Sequence, residues 1–294
     1  MTDLPGGPLV VLAGPGVVTA GCVDGLRAFA AAGDLGVANT WGAKGVFPWD
    51  SPHHLGTCGL QARDFELLGF GDYAAIVATG IDADESPPER FALAPVVEIT
   101  PIELAVAATS LRPRPGPLPA NELYPRLAAI AQPGYLDERV PLHPARAVAD
   151  VRAAVPVGGL VAAEPGVAGL WVARTFPTTD LGSVIVPARR APGAAAAAVV
   201  DAARAGRAAA FVTSTPIDDA SMEQLEAART EGLAVVVEVW GGGRLAAVDE
   251  HRRLLEHAFT EPGVKTIQTP VATELTQLLV DAAGPIVAWG GLPE

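Results

Sequence analysis

Residues 8–16 read PLVVLAGPG: a short apolar run rich in β-branched and aliphatic side chains that stops on Gly14-Pro15-Gly16. Such a run is long enough for a buried strand and too short for a helix, and a glycine-proline turn is a strong chain breaker. Beyond the turn, residues 20–32 carry apolar side chains at helical spacing. Strand, tight turn and helix in that order are the start of a βα unit. The pattern recurs outward along the chain, with residues 37–39, 73–79 and 95–99 reading as further strands. The first hundred residues are therefore expected to build a parallel sheet flanked by helices.

Residues 111–144 interrupt this pattern. Arg-Pro-Arg-Pro-Gly-Pro-Leu-Pro is followed by Gln-Pro-Gly and His-Pro, and proline opposes both a regular helix and a central strand. A linker over 113–144 is expected, between domains at 1–112 and 145–294. After it the same pattern returns: 159–163, 209–213, 235–239, 264–268 and 285–289 read as strands, and 218–230, 244–257 and 272–282 as helices. The expected fold is α/β, with two parallel-sheet, three-layer domains.

Composition narrows the partners. Half of the 294 residues are hydrophobic and 18% are charged, which suits a large buried core. A net charge of −13 repels nucleic-acid backbones and anionic lipid surfaces. Cys22 and Cys58 are too few for a disulfide framework, so a reducing cytoplasmic setting is expected. The opening residues lack the basic start of a signal peptide. Pro192, Gly193 and Asp201 break the alanine-rich run at 191–203, so no membrane span is expected.

Several motifs bear on a site. Gly14-Pro15-Gly16 lies between a strand and a helix, where backbone NH groups can hold a phosphate. Thr19 stands at the third glycine position of the dinucleotide fingerprint, which is therefore incomplete. Thr79-Gly80-Ile81-Asp82 closes another strand and residues 40–45 follow a third, so these loops are expected to converge at the carboxyl edge of the sheet. Gly14, Gly16, Thr40, Thr79, Gly80 and Asp82 are the candidate ligand-binding residues, with Lys44 read as a surface lysine. His53, His54 and Cys58 beside Asp50 match no zinc spacing and read as a surface loop. His251 and His257 read as helix-surface histidines, and Ser214 and Ser221 lack the context of a nucleophilic serine. No catalytic and no metal-binding residue is assigned.

The stretches PLVVLAGPGVV, WGAKGVFPWDSPHHLGTCG and YAAIVATGID, taken in order, resemble the central domain of acetolactate synthase-like thiamine-diphosphate enzymes. The stretch AGRAAAFVTSTPIDDASMEQLEAARTEGLAVVVEVWGGG and the tail GVKTIQTPVATELTQLLVDAAGPIVAW resemble the diphosphate-binding domain of the same family. The resemblance implies thiamine diphosphate and magnesium as cofactors. In the family the magnesium ligands come from Gly-Asp-Gly and Asn-Asn. Here those positions read Ser214-Thr215-Pro216 and Gly241-Gly242, and APGAAAAAVV stands where a glycine-rich approach to the diphosphate is usual. The family's amino-terminal domain, which carries the activating glutamate, is expected to have no counterpart here. Asp218 and Asp219 lie just after the altered loop, where they read as helix-start residues with a metal role as the alternative. Three functions follow as expectations: a binding or assembly module without autonomous catalysis, a subunit of a 2-keto acid-converting enzyme completed by a partner chain, or an adenine-nucleotide binder using the first domain's crevice. A homo-oligomer or a partner subunit carrying the missing domain is the expected assembly.

Overall fold

The computed structural model describes residues 4–113, 118–214 and 216–292. The chain divides into two compact units. The first comprises residues 1–127, 178–181 and 280–291, and the second 128–177, 182–279 and 292–294.

In the first unit five strands pair in parallel: β1 (Leu9–Ala13), β2 (Gly36–Thr40), β3 (His54–Cys58), β4 (Ala75–Thr79) and β5 (Val96–Glu98), in the order β3-β2-β1-β4-β5. The central strand β1 is buried throughout, with Val10 opposite Gly36 on one side and Ile76 on the other. Its alternating side chains explain the two layers of helix. Leu9, Val11 and Ala13 enter a core that includes Leu26 and Phe29 of α2 (Val23–Gly33), which follows the short α1 (Gly16–Thr19). Val10 and Leu12 point the other way, into a core with Phe65 of α3 (Asp64–Leu67), Phe91 of α4 (Pro88–Phe91) and Phe70. A further helix, α5 (Leu104–Ser110), packs on α2 and adds Leu104 to the first core. Burying a Leu or Phe side chain contributes roughly 1.5–3 kcal/mol, so a strand apolar on both faces needs both layers.

The second unit repeats the plan with β6 (Leu160–Ala163), β7 (Val184–Ile185), β8 (Ala209–Ser214), β9 (Val235–Trp240) and β10 (Val264–Thr269), all parallel and ordered β10-β9-β8-β6-β7. Helix α6 (Leu123–Tyr135) carries the chain into this unit, followed by α7 (Pro144–Ala154), α8 (Val167–Thr175), α9 (Ala194–Arg204), α10 (Asp219–Thr230) and α11 (Val248–Thr260), and α12 (Thr276–Ala283) carries it back to the first. Phe211, Val237 and Val239 pack against Ala196, Val199 and Val200 of α9 and Leu225 of α10. Strand alternation turns Glu238 to the opposite face, towards α7 and α11. Trp171 of α8 is buried, and its indole NH donates to the Thr276 hydroxyl at 2.9 Å.

The structure corrects several expectations. Residues 54–58, read as a surface loop, form β3, with Cys58 fully buried and paired opposite Thr40. Residues 285–289 form no strand: Ile286 makes one antiparallel bridge with Gln61, and a 3-10 turn covers Ala288–Gly290. Within the proline-rich stretch α6 forms with Pro133 inside it, where the proline costs one NH late in the helix rather than its start. Among the described residues no helix is long and apolar enough to cross a membrane.

Candidate functional site

In the first unit the chain leaves β1 for β2 and β3 on one side, then returns to the other side of β1 as β4. The loops after β1 and β4 therefore part at this reversal, the place where open α/β sheets form ligand crevices. Gly14, Gly16, Thr79 and Gly80 do come together there. The Gly14 NH donates to the Thr79 carbonyl at 2.9 Å, and the Gly16 NH to the Gly80 carbonyl at 2.8 Å. A Cβ on Gly14 would lie 2.3 Å from the Gly80 oxygen, and one on Gly16 would lie 2.7 Å from the Gly80 Cα. The glycines thus allow main chain to pack on main chain, and both amides are already used.

The polar side chains of this edge sit just beyond. Thr40 ends β2 and Thr79 ends β4, both buried. Asp82 is half-buried, and its Oδ1 accepts from the Asp84 NH at 2.9 Å, which shapes the loop leading to Glu85 and Ser86. The Glu85 side chain is buried against Gly42, and burial pushes its carboxyl up to about 7 although the Thr40 hydroxyl and Gly42 backbone favour the ionised form. Glu85 Oε2, Ser86 Oγ and Thr79 Oγ1 are buried without hydrogen-bond partners. Lys44, expected at the surface, is only 8% exposed, and its Nζ lies 3.5 Å from the Thr57 hydroxyl. Burial and the Lys44 charge lower the His54 imidazole to about 4, so it is neutral in ordinary buffers. Among the described residues no three His, Cys, Asp or Glu side chains come together as a metal-holding group.

The carboxyl edge of the second sheet is organised differently. Glu164 follows β6, Thr213 and Ser214 end β8, and Asp218 caps α10 by accepting from the Ser221 NH at 2.9 Å. The Ser221 hydroxyl lies 2.9 Å from Glu164 Oε1 and 2.8 Å from Asp218 Oδ2, and the Thr213 hydroxyl donates to Glu164 Oε2. The Ser221 hydroxyl thus holds the two carboxyls side by side. Burial first, then the bond to Asp218, raises Glu164 to about 7, while the same bond lowers Asp218 to about 2. One proton held between two carboxyls at neutral pH is the arrangement expected when like charges cannot both ionise in contact. Pro216 and Gly241 are exposed, and Gly241 has φ +110°. Thr215 lies outside the described residues.

His251 corrects a further expectation. It is fully buried, 3.0 Å from Asp150 Oδ2 and 2.9 Å from Glu238 Oε1, whereas His257 is exposed as expected. Glu85, Glu164 and Glu238 were not singled out in the sequence. For Glu164 and Glu238 the available signal was an acidic residue just after, or within, an otherwise apolar strand, whereas Glu85 lies in the loop beyond β4 and carried no such signal.

Residues 8–106 match the family described as thiamine pyrophosphate enzyme, central domain. Benzoylformate decarboxylase from Polynucleobacter necessarius is similar in structure at 12% identity, with a TM-score of 0.68 over 90% of this chain and 62% of that one. A thiamine diphosphate-dependent 4-hydroxybenzoylformate decarboxylase from Rhodococcus jostii is similar at 15% identity, with a TM-score of 0.66 over 90% of this chain and 61% of that one. The chain thus spans about three-fifths of the length of these structures. No curated protein matches it. Over residues 8–106 the protein is thus similar to the thiamine pyrophosphate enzyme central domain, and the solved structures share its fold.

Proposed function

We propose that the protein is a binding or assembly module of the thiamine-diphosphate-enzyme type, without autonomous catalysis. The observation that supports this reading is the pair Glu164–Asp218 at the carboxyl edge of the second sheet. Magnesium takes near-octahedral oxygen ligands and favours ionised carboxylates. At the positions where the resemblance puts those ligands, the sequence has Thr215, a neutral hydroxyl residue, in place of the aspartate, Pro216 offers no NH, and Gly241 and Gly242 offer no side chain. The nearby acids do not make up the set. Asp218 is engaged with Ser221 and Glu164, and Glu164 keeps its proton up to about pH 7. These residues do not fit a magnesium-bridged diphosphate, and no catalytic step is derived through one.

Calorimetric titration with thiamine diphosphate and magnesium, with and without EDTA, tests the reading. No binding near millimolar concentration, where an affinity worth about 4 kcal/mol still registers, is the expected result. Magnesium-dependent binding would overturn it and favour a subunit of an acetolactate synthase-like, 2-keto acid-converting enzyme completed by a partner chain. A homo-oligomer, or a complex with such a partner, belongs to the same proposal.

A second reading rests on the first unit. The unpartnered buried groups of Thr79, Glu85 and Ser86 beside the strand reversal favour a polar guest such as an adenine nucleotide. With the Gly14 and Gly16 amides occupied, recognition would fall to side chains around Thr40, Asp82 and Glu85. Gly16→Asp is a poor test, because its Cβ meets Gly80 whether or not a ligand binds. Titration of Ser86→Ala and the parent with ATP and ADP separates the outcomes: weaker binding by the variant supports this pocket, and no binding by the parent removes it.

A further inference from the structure

His251 enters from α11, Asp150 from α7 and Glu238 from β9, and all three are at most 4% exposed. Each ring nitrogen lies within 3.0 Å of a carboxylate oxygen. A neutral imidazole has one NH, so it can donate to only one of two carboxylates; the protonated ring donates to both. Charge gives the same answer. Arg146 Nε donates to Asp150 Oδ1 at 3.0 Å, so an imidazolium makes two cations against two anions, whereas a neutral ring leaves one buried anion uncompensated.

We infer that His251 is a buried imidazolium that clamps α7 and α11 to β9, and that losing its proton in alkali releases these two helices from the sheet. No other charged side chain on the packed elements answers for it. On α7 the remaining cation, Arg152, donates to the Pro177 carbonyl. Glu238 is the sole ionisable side chain of β9, and Lys265, the sole one of β10, pairs with Glu261 at 3.9 Å. The remaining charged residues of α11 pair along its exposed face: Arg252 with Glu256, and Arg253 with Asp249, while Glu250 accepts from the Ala246 NH. The attraction of Glu238 and Asp150 outweighs desolvation and raises the ring to about 9, which agrees with the geometry.

The sign follows from linkage. The unfolded ring loses its proton near 6.5 and the folded ring near 9, so the stabilisation is complete below 6.5 and disappears as pH rises towards 9. Between these values the unfolding equilibrium should grow by as much as about tenfold per pH unit. The experiment is NMR titration of the His251 ring in the whole protein, with amide hydrogen exchange read at the same pH values. His251 is expected to titrate well above His257. Exchange in α7 and α11 should rise through that transition while α10, on the other face, stays protected. In Glu238→Gln the His251 midpoint should fall by at least about one unit. A midpoint near 6.5, a midpoint unmoved by Glu238→Gln, or equal exchange in all three helices would overturn the inference. Because the parent protein alone supplies the first and third readouts, an unfolded variant does not block the test.

Discussion

Glu164→Gln is expected to stabilise the protein at mildly alkaline pH, against the usual outcome of altering a partly buried polar residue. In the native fold the Glu164 carboxyl ionises at about 7 instead of 4.5. Between those values the unfolded chain has lost this proton and the folded chain retains it, so the contribution to stability declines as pH rises. A tenfold change in proton affinity corresponds to about 1.4 kcal/mol, which puts the full linkage at ~3 kcal/mol; partial solvent exposure reduces it to ~1 kcal/mol. The carboxamide cannot ionise, and its NH2 can donate to Asp218 at every pH. Asp218 ionises at about 2 and so stays charged throughout. Urea denaturation of both proteins at about pH 5 and about pH 8 measures the effect through linear extrapolation. The variant should match the parent at the lower pH and exceed it by ~1 kcal/mol at the higher. The slope due to His251 is common to both proteins and cancels in the difference. A difference that does not change between the two pH values would refute the shared proton.

Two other predictions concern the first unit. Thr79→Val replaces a buried hydroxyl that has no partner, so the ligand-free protein should gain about 1 kcal/mol, measured as a higher urea midpoint with an unchanged slope. Gly14→Ala would place a Cβ 2.3 Å from the Gly80 oxygen and should cost about 3 kcal/mol. Gly21→Ala, at φ +66° but with nothing near its Cβ, should cost only about 1 kcal/mol. Equal losses at Gly14 and Gly21 would show that the loop contact carries no special constraint.

The strands were legible where apolar side chains run unbroken, as in residues 9–13 and 235–239, because both faces of each sheet are covered. β3 was not, since HLGTC mixes a glycine and polar groups that become buried only through pairing with β2. The reading of 285–289 failed for the converse reason: an apolar run predicts burial but not a ladder partner. At the sites, the grouping of Gly14, Gly16, Thr79 and Gly80 followed from strand ends. Their amides' mutual satisfaction did not, because local sequence carries no record of which carbonyl a loop NH meets. Glu238 within VVVEVW was the plainest missed signal, since an acid in a doubly covered strand demands a partner, and His251 supplies it across sequence.

The make-up of the first unit bears on how the chain matures. Ala283 belongs to the core around Phe65 and Phe70, and the Gln61 side chain donates to the Gly284 carbonyl at 2.7 Å. A nascent chain folding from its amino end can assemble the five-stranded sheet early, yet one layer stays unfinished until residues 280–291 have been made. Until then apolar surface around Phe65 remains open to chaperones, which usually attend such exposed cores. A stop codon anywhere before residue 280 would therefore damage the first unit as well as the second.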